Sequence, residues 1–383
     1  MPYVELISKL IAQGHEVHFA MRSLHKVYDI FGENGVIWHQ APIILPRHVE
    51  IMMPIDSFPK ILHHAGHDKP ERLAGLLMTW KNLYNLIDPD LFVFDYSPTA
   101  MLAARSRPGK KLAIGTGFHL PPSIQTILTP ASLSDTSTAQ EDTAAFEKRV
   151  LGVINAAFKQ LNIQPLNQLT DFMDADEMIL RTLPEMDHYP DRTKARYGGI
   201  MKSPPGEVPI WPPSPGPKIF AYLKVFETLP SLLETLNQKQ YPTLIYGDKI
   251  PQEIMQRFSS DSLKFAEKPL DMDSIGQTAD LAICNAGHGG TTELLLSGVP
   301  LLLLPLNGEQ NMVAENVERL GAGLSAPHLH PNGMTEKLDT LIKEPGFKEA
   351  AQRFSETYKG SNMTNLSDTV LKTIDVLLNS VSG

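Results

Sequence analysis

The chain has 383 residues, a formal net charge of −9 at pH 7 and a hydrophobic content of 42%. The length is sufficient for two domains that each bury a core, and the composition is that of a soluble globular protein, which excludes intrinsic disorder. The negative charge argues against nucleic acid as the main partner, because binding to a phosphate backbone requires a concentrated basic surface.

The cysteine content and the hydropathy of the sequence predict the cellular location of the protein. Cys284 is the one cysteine, so no disulfide can form within the chain, and the reducing cytoplasm is the expected location. Cys284 lies in an apolar run and is interpreted as a buried small hydrophobic residue. No stretch reaches the ~18 apolar residues that span a bilayer, and the first residues do not resemble a secretory leader. Peripheral contact with a membrane stays open.

Strands and helices alternate in the first half of the chain. In chain order, the hydrophobic spacing predicts a helix over 3–12, a strand over 16–20, a strand over 90–95, a helix over 97–104, a strand over 111–115 and a helix over 144–160. Ser97 is a predicted N-cap with Pro98 at the first helical position. The Ser-, Thr- and Ala-rich segment 123–143 is predicted to be a mobile loop. The alternation predicts an α/β fold with an open parallel sheet.

A proline-rich segment predicts the domain boundary. Residues 203–217 contain seven prolines and cannot continue a helix or a strand. We interpret them as a semi-rigid linker between a first domain at 1–202 and a second domain at 218–360. Residues 361–383 are expected to form a C-terminal helix, for which packing back onto the first domain is one option.

The second half repeats the alternation and ends several strands at polar residues. The predicted strands are 218–223, 241–246, 281–284 and 299–304, and the predicted helices are 227–236, 251–258 and one that contains Thr291. Ligands of open α/β sheets bind at the carboxyl ends of strands, where Asp95, Gly287 and Gly308 fall. Two α/β domains with a cleft between them are therefore expected.

The glycine-rich turn from Asn285 to Thr292 carries the strongest functional signal. It follows a buried strand and opens a helix, where backbone N–H groups and the helix dipole favour an anion. Glycines allow a phosphate to approach the backbone closely, and the two threonines can add hydroxyl donors. The alternative is an ordinary βαβ unit whose glycines only form a tight turn.

Motifs around this turn resemble one family. The matching residues are Thr291-Thr292-Glu293, Gly298-Val299-Pro300, Pro305, Glu309-Gln310, Asn316 and Leu320-Gly321-Ala322-Gly323. The pattern resembles the GT-B glycosyltransferases, in the group that contains the UDP-glycosyltransferases and the bacterial macrolide and glycopeptide glycosyltransferases. The resemblance implies the GT-B fold, with two Rossmann-like domains that face each other across a cleft. It also implies an inverting glycosyltransferase that moves a hexose from a UDP- or dTDP-sugar to a hydroxyl of a small-molecule or lipid-like acceptor.

The resemblance assigns the donor site by position. The residues expected at the diphosphate are Gly287, His288, Gly289, Gly290, Thr291 and Thr292. Glu309 and Gln310 match positions that bind hydroxyls of the sugar, whereas Glu293 matches an acidic position that meets the ribose. The alternatives are a solvated loop acid for Glu309 and a helix-surface acid for Glu293. The nucleotide base is expected around Phe265, Lys268 and Pro269.

The expected chemistry requires no metal and no cofactor beyond the nucleotide-sugar co-substrate, because a helix N-terminus can stabilise the leaving diphosphate. The chain departs from the family pattern in two places of the donor site. Asn285 stands where many relatives have a histidine, and His288 is either a phosphate contact or a bystander. Lys224, where relatives often have a Ser- or Gly-rich turn, is either a phosphate contact or merely exposed.

The acceptor side departs further. Family members begin with a strand and a loop ending in a histidine, the general base, and both would precede Met1 here. The aspartate that orients this histidine corresponds to Asp95. Three explanations stay open: a truncated chain, which is favoured; a substitute base, for which His119 is the leading candidate; or a catalytically impaired relative that only binds nucleotide sugar. The segment 116–122 is expected to line the acceptor pocket.

Two further clusters have simpler interpretations. The Asp271-Met272-Asp273 run spells a metal-binding pattern of another glycosyltransferase fold, but its acids are interpreted as helix caps. His63, His64 and His67 lack further ligands at a suitable spacing and are interpreted as loop or helix surface. No Gly-x-Ser-x-Gly elbow supports a hydrolase, and an epimerase of the same architecture is a weaker alternative.

Overall fold

The computed structural model describes residues 3–25, 27–28, 32, 35–44, 57–122, 137–247, 249–326, 331–361 and 365–380. The chain divides into two compact units. The first comprises Met1–Leu183, Tyr189–Gly199 and Asn365–Gly383, and the second comprises Pro184–His188 and Ile200–Thr364. None of the helices in the described part of the chain has the length and apolar character that a bilayer crossing requires.

Helices and strands alternate along the described residues. The helices are α1 (Val4–Ala12), α2 (Phe58–His64), α3 (Pro70–Ile87), α4 (Pro98–Ala104), α5 (Ser137–Gln160), α6 (Leu229–Lys239), α7 (Gln252–Phe258), α8 (Met272–Thr278), α9 (His288–Leu296), α10 (Gly308–Arg319), α11 (Pro331–Lys343), α12 (Gly346–Tyr358) and α13 (Leu366–Asn379). The strands are β1 (His18–Met21), β2 (Ile37–Gln40), β3 (Leu91–Asp95), β4 (Lys110–Gly115), β5 (Glu177–Leu180), β6 (Ile219–Tyr222), β7 (Thr243–Tyr246), β8 (Leu263–Phe265), β9 (Leu281–Cys284), β10 (Leu301–Leu303) and β11 (Gly323–Ser325). Short 3-10 helices lie at Leu169–Met173 and Pro184–Met186.

The first unit contains two parallel sheets. Strand β1 pairs with β2, and β3, β4 and β5 form a three-stranded sheet in that order. Helix α13 contacts α1, β3 and β4, and Lys9 of α1 lies 3.1 Å from Asp368 of α13. The last helix of the chain is therefore part of the same unit as the first.

The second unit is built on six parallel strands in the order β11-β10-β9-β6-β7-β8. All four residues of β9 are buried, as expected for a parallel strand that helices cover on both faces. Helix α6 buries Leu229, Leu232, Leu233 and Leu236, whose spacing places them on one helical face. The strand order reverses between β6 and β9, so the loops that follow these two strands lie at a topological switch point, where ligands bind in such sheets.

The structure confirms the α/β fold class, since every strand pairing in the described residues is parallel. The strands that periodicity predicts at 90–95, 111–115 and 281–284 are confirmed within one residue. The helix predicted at 144–160 begins earlier, at Ser137, and residues 123–136 of the predicted mobile loop lie outside the described residues. Ser97 does precede helix α4, but its hydroxyl donates to the Asp95 carbonyl instead of capping the helix.

The proline-rich segment packs along the second unit. Glu207 forms an isolated parallel bridge with Leu270. The indole N–H of Trp211 donates to the Thr278 hydroxyl at 3.1 Å. Residues 203–217 are therefore held against the sheet unit that follows them in the chain.

Candidate functional site

The side chain of Asn285 forms hydrogen bonds that connect the ends of three strands at the switch point. Its side chain is buried, and its amide donates to the Leu304 carbonyl at 2.8 Å. Its side-chain oxygen accepts from the Lys224 N–H at 2.7 Å. The ends of β6, β9 and β10 are thereby joined through one amide, which supplies both the donor and the acceptor that these backbone groups require. The departure from the family pattern at Asn285 has a structural role.

The space over the glycine turn is open. A Cβ atom added to Gly287 or Gly289 would meet nothing within 4 Å, and neither glycine has a positive φ. Ala286 takes the left-handed conformation instead, with φ of 53°, at a cost of about 1–3 kcal/mol. Neither packing nor backbone conformation therefore requires these two glycines, whereas close approach by an anion would.

Helix α9 presents its N-terminus to this space. Gly287 is the N-cap, and no side chain among the described residues caps the helix. By helix geometry the N–H groups of Gly289 and Gly290 have no carbonyl partner within the helix. The helix dipole adds a partial positive charge at the same place. The turn can bind an anion through backbone groups alone.

The two threonines after the glycines turn inward. Thr291 and Thr292 are almost fully buried. The Thr292 hydroxyl donates to the His288 carbonyl at 2.7 Å, and the Thr291 hydroxyl lies 3.6 Å from the Cys284 sulfur. Both hydroxyls therefore already have partners within the unit, and their donation to a diphosphate stays a prediction. The burial predicted for Cys284 is confirmed, and it raises the pKa of the thiol.

Glu293 holds the proline-rich segment. Its side chain is buried, and the Ser203 hydroxyl donates to Oε2 at 2.6 Å while the Ser203 N–H donates to Oε1 at 3.2 Å. The alternative of a helix-surface acid is wrong for this reason. The contact with the ribose stays a prediction, and it would compete with Ser203.

Glu309 and Gln310 open helix α10 at the end of β10. Gln310 is buried, and its side-chain oxygen accepts from the Leu306 N–H at 2.7 Å, which fixes the loop. The Glu309 side chain is 31% exposed, and its Oε1 lies 3.9 Å from Nε2 of His188. Glu309 lies in the first turn of a helix and not in the loop, but its side chain is partly exposed, so the alternative of a solvated acid stays open. The sugar contacts of both residues stay predictions.

The predicted base region also touches the proline-rich segment. Phe265 ends β8 and is partly buried. The exposed Lys268 ammonium donates to the Glu207 carboxylate at 2.7 Å, and this hydrogen bond raises the pKa of Lys268. The Pro269 carbonyl accepts from the Glu207 N–H at 2.9 Å. Base binding by these residues stays a prediction, as does a phosphate contact of the exposed Lys224 side chain.

Asp95 lies at the carboxyl end of β3, as expected, beside two residues that the sequence did not single out. Its Oδ2 is 3.7 Å from Nη1 of Arg181. Burial raises the pKa of the Tyr3 hydroxyl far above its usual range, and the Asp95 carboxylate raises it further. The Tyr3 hydroxyl therefore stays protonated at neutral pH, so it can donate a hydrogen bond but cannot act as a base.

His119 belongs to the loop after β4. Its ring stacks on Tyr96, with the ring centroids 3.9 Å apart, and its Nδ1 lies 3.1 Å from the Thr116 hydroxyl. Tyr96 follows Asp95 directly and has a φ of 43°. The structure thus brings His119 to the residue beside Asp95, while the contacts shown for the Asp95 carboxylate are with Arg181 and Tyr3.

The two simpler clusters have different outcomes. Asp271 is the N-cap of α8 and accepts from the Ser274 N–H at 2.9 Å, which confirms the capping interpretation. Hydrogen bonds from the Ser274 side chain and from its N–H lower the pKa of Asp271. His67 is wrongly placed by the surface interpretation: it is fully buried, and its Nδ1 lies 2.9 Å from the Leu62 carbonyl. Burial lowers the pKa of His67 to about 4. Among the described residues, no three His, Cys, Asp or Glu side chains form a metal cluster.

His188 is the functional candidate that sequence reasoning missed. It lies in the short stretch 184–188, which contains no glycine motif and no periodic signal. The structure stacks its ring on His288, with the centroids 5.4 Å apart and an angle of 21° between the rings. The turn at His288 and the helix start at Glu309 are therefore connected through a third residue.

Comparison with known proteins identifies the fold and one domain. The crystal structure of the glycosyltransferase VinC in complex with dTDP superposes with a TM-score of 0.68 at 15% sequence identity. The superposition covers 98% of this chain and 96% of the VinC chain. Residues 222–369 match the model of the glycosyltransferase family 28 C-terminal domain. The chain therefore has the fold of the GT-B glycosyltransferases, as the motifs predicted, and the part of it that resembles the family 28 C-terminal domain covers most of the second unit.

Curated relatives agree at the level of the protein class. A PGL/p-HBAD biosynthesis glycosyltransferase of Mycobacterium tuberculosis is 26% identical over 195 residues, which are 49% of this chain and 45% of that protein. A PGL/p-HBAD biosynthesis rhamnosyltransferase of Mycobacterium bovis is 23% identical over 348 residues, which are 82% of this chain and 76% of that protein. The chain thus spans about half the length of the first relative and three quarters of the second.

Proposed function

We propose that the protein is an inverting glycosyltransferase that moves a hexose from a UDP- or dTDP-sugar to a hydroxyl of a small-molecule or lipid-like acceptor. The observation that carries this proposal is the open glycine turn at the N-terminus of α9, located at the switch point of a parallel sheet. The dTDP bound to VinC and the rhamnosyl transfer in the name of the Mycobacterium bovis relative support a nucleotide-sugar donor.

The turn suits a leaving diphosphate. As the bond between the sugar and the diphosphate breaks, negative charge grows on the phosphate oxygens. Fixed N–H groups of Gly289 and Gly290, together with the helix dipole, stabilise this charge without having to reorganise during the reaction. Glu309 then serves as an acceptor for sugar hydroxyls on the same side of the sheet. In this proposal the leaving group departs without help from a metal.

Inversion requires that the acceptor hydroxyl attack the anomeric carbon from the face opposite the diphosphate, and that a base take its proton. Asp95 is the proposed orienting acid, and His119 is the proposed base. Tyr3 is unsuited to the base role because its hydroxyl stays protonated. Nη1 of Arg181 lies 3.7 Å from the Asp95 carboxylate and would add a positive charge beside the acceptor.

A second candidate function is nucleotide-sugar binding without transfer. It is favoured by the surroundings of Asp95, whose carboxylate faces Arg181 and Tyr3, while His119 contacts Tyr96 and Thr116. Arg181 and Tyr3 lie beside this carboxylate, where an orienting acid would meet its imidazole base.

Turnover separates the two candidates. The purified chain is incubated with UDP-glucose or dTDP-glucose and a panel of hydroxylated acceptors, and release of the nucleoside diphosphate is followed. Transfer predicts acceptor-dependent release that falls by about 100-fold or more in Asp95→Asn, the usual contribution of acid–base machinery. Thermal stabilisation by nucleotide sugars without turnover would support the binding function. Absence of both would refute both candidates.

A further inference from the structure

One buried histidine contacts both halves of the donor site. The His188 side chain has no solvent exposure, and both of its ring nitrogens are shielded from water. On one side its ring stacks on His288, the first residue of α9. On the other side its Nε2 lies 3.9 Å from Oε1 of Glu309, in the first turn of α10. His188 is thus the residue shared by the diphosphate turn and the proposed sugar-binding carboxylate.

The stretch that carries His188 is fixed at two other points. The Asp187 carbonyl accepts from the side-chain amide of Asn316 at 2.9 Å, and the Tyr358 hydroxyl donates to the Glu185 carboxylate. Asn316 belongs to α10, the same helix that begins beside Glu309. The ring therefore does not need its nitrogens to hold this stretch in place.

The choice of an imidazole is then informative. Burying a polar ring is unfavourable compared with an apolar ring of similar size unless its nitrogens are used. One neighbour of the ring is the Glu309 carboxylate, which is partly open to solvent, with a side chain 31% exposed. An imidazole beside it can restrict the carboxylate to one orientation and leave its other oxygen directed outward.

We propose that His188 is a positioning residue of the donor site, which orients Glu309 toward the hydroxyls of the transferred sugar while its stack on His288 ties this carboxylate to the diphosphate turn. This inference rests on the proposed function, because it takes a nucleoside diphosphate sugar as the ligand. His188 would therefore strengthen binding of the nucleoside diphosphate sugar and leave binding of the bare nucleoside diphosphate nearly unchanged.

The test compares two ligands on matched variants. His188→Phe keeps the ring stack and the volume but removes the nitrogens, His188→Gln restores a polar group toward Glu309, and Tyr358→Phe loosens the same stretch without changing the imidazole. Calorimetry gives the Kd of UDP, dTDP and their glucose conjugates for each. We expect His188→Phe to weaken the sugar conjugate about tenfold, the effect of one misplaced charged hydrogen bond, with the bare nucleotide changed by less than about twofold.

Further results of the same series support or overturn the inference. His188→Gln should recover part of the loss, Tyr358→Phe should show none, and the double variant with Glu309→Gln should lose no more than the worse single variant. Equal weakening of both ligands in His188→Phe, or unchanged binding in a folded variant, would overturn the positioning role. If His188→Phe does not fold, His188→Gln carries the ligand comparison. Absence of nucleotide binding by the unmodified chain would instead refute the proposed function itself.

Discussion

Gly289→Ala should make the protein more stable and its diphosphate binding weaker. Gly289 is the second residue of α9, it has no positive φ, and a Cβ atom there meets nothing within 4 Å. Replacement of a helical glycine by alanine then stabilises by about 0.5–1 kcal/mol, because the unfolded chain loses conformational freedom. For a unit of this size the gain corresponds to a rise in Tm of about 1–4 °C.

The added methyl group occupies the space through which a phosphate would approach the N-terminus of α9. We expect the Kd for UDP or dTDP to increase at least about tenfold, which is 1.4 kcal/mol of binding free energy. Scanning calorimetry and titration calorimetry on the same preparation measure the two effects. Gly333→Ala is the matched control, because Gly333 is also helical and its added Cβ also meets nothing within 4 Å.

Gly333→Ala should raise Tm similarly and leave nucleotide binding unchanged. Nucleotide binding that survives Gly289→Ala would contradict the placement of the diphosphate over this glycine. A fall in Tm for Gly289→Ala would contradict the open geometry of the turn.

Three further experiments test interactions within each unit. Asn285→Ala removes partners of two backbone groups and should lower the free energy of unfolding by about 2–4 kcal/mol in denaturant titrations; a loss within 0.5 kcal/mol or so would show that the amide is dispensable. Gln310→Ala leaves the Leu306 N–H without its acceptor and should lower the free energy of unfolding by about 1 kcal/mol. Glu309→Ala, measured alongside, should lower it less because the Glu309 side chain is partly exposed. His67 has a pKa of about 4 in the folded protein, below its value in the unfolded chain. The free energy of unfolding should therefore be highest above pH 6.5 and decrease by about 3 kcal/mol as the pH falls to 4. A His67→Gln variant whose stability has the same pH profile would disprove this contribution.

The glycine-rich turn from Asn285 to Thr292 could be predicted from the sequence because the residues that indicate it are neighbours in the chain. The apolar run of β9, the glycines and the first turn of α9 follow one another in the chain, so periodicity and turn chemistry locate them together. The parallel sheet follows from the same alternation. Helix α3 could also have been predicted from the sequence, because its buried residues recur at helical spacing: Leu73, Leu77, Trp80 and Tyr84.

What the sequence could not predict depends on contacts between distant segments. His188 meets Glu309, and Arg181 meets Asp95, only because folding brings loops from separate strands together. The direction of a side chain is equally hidden: Thr292 has the residue type of a phosphate donor, yet its hydroxyl satisfies the carbonyl one turn earlier in its own helix.

Buried acids and histidines mislead for a related reason. Glu293 is charged and lies in a helix, so composition favours a surface position, but Ser203 satisfies its carboxylate inside the unit. His67 is buried neutral, with its Nδ1 beside a backbone carbonyl. Partners of this kind are supplied by tertiary structure, and no spacing rule reports them.

A calorimetric titration of the unmodified chain with UDP and dTDP, in a buffer that contains EDTA, is the decisive test of the diphosphate site. We expect saturable binding of at least one of them without a divalent metal, and a loss of affinity of about tenfold or more in Gly289→Ala but not in Gly333→Ala. Failure of both nucleotides to bind, or binding that Gly289→Ala does not change, would show that the N-terminus of α9 is not a diphosphate site.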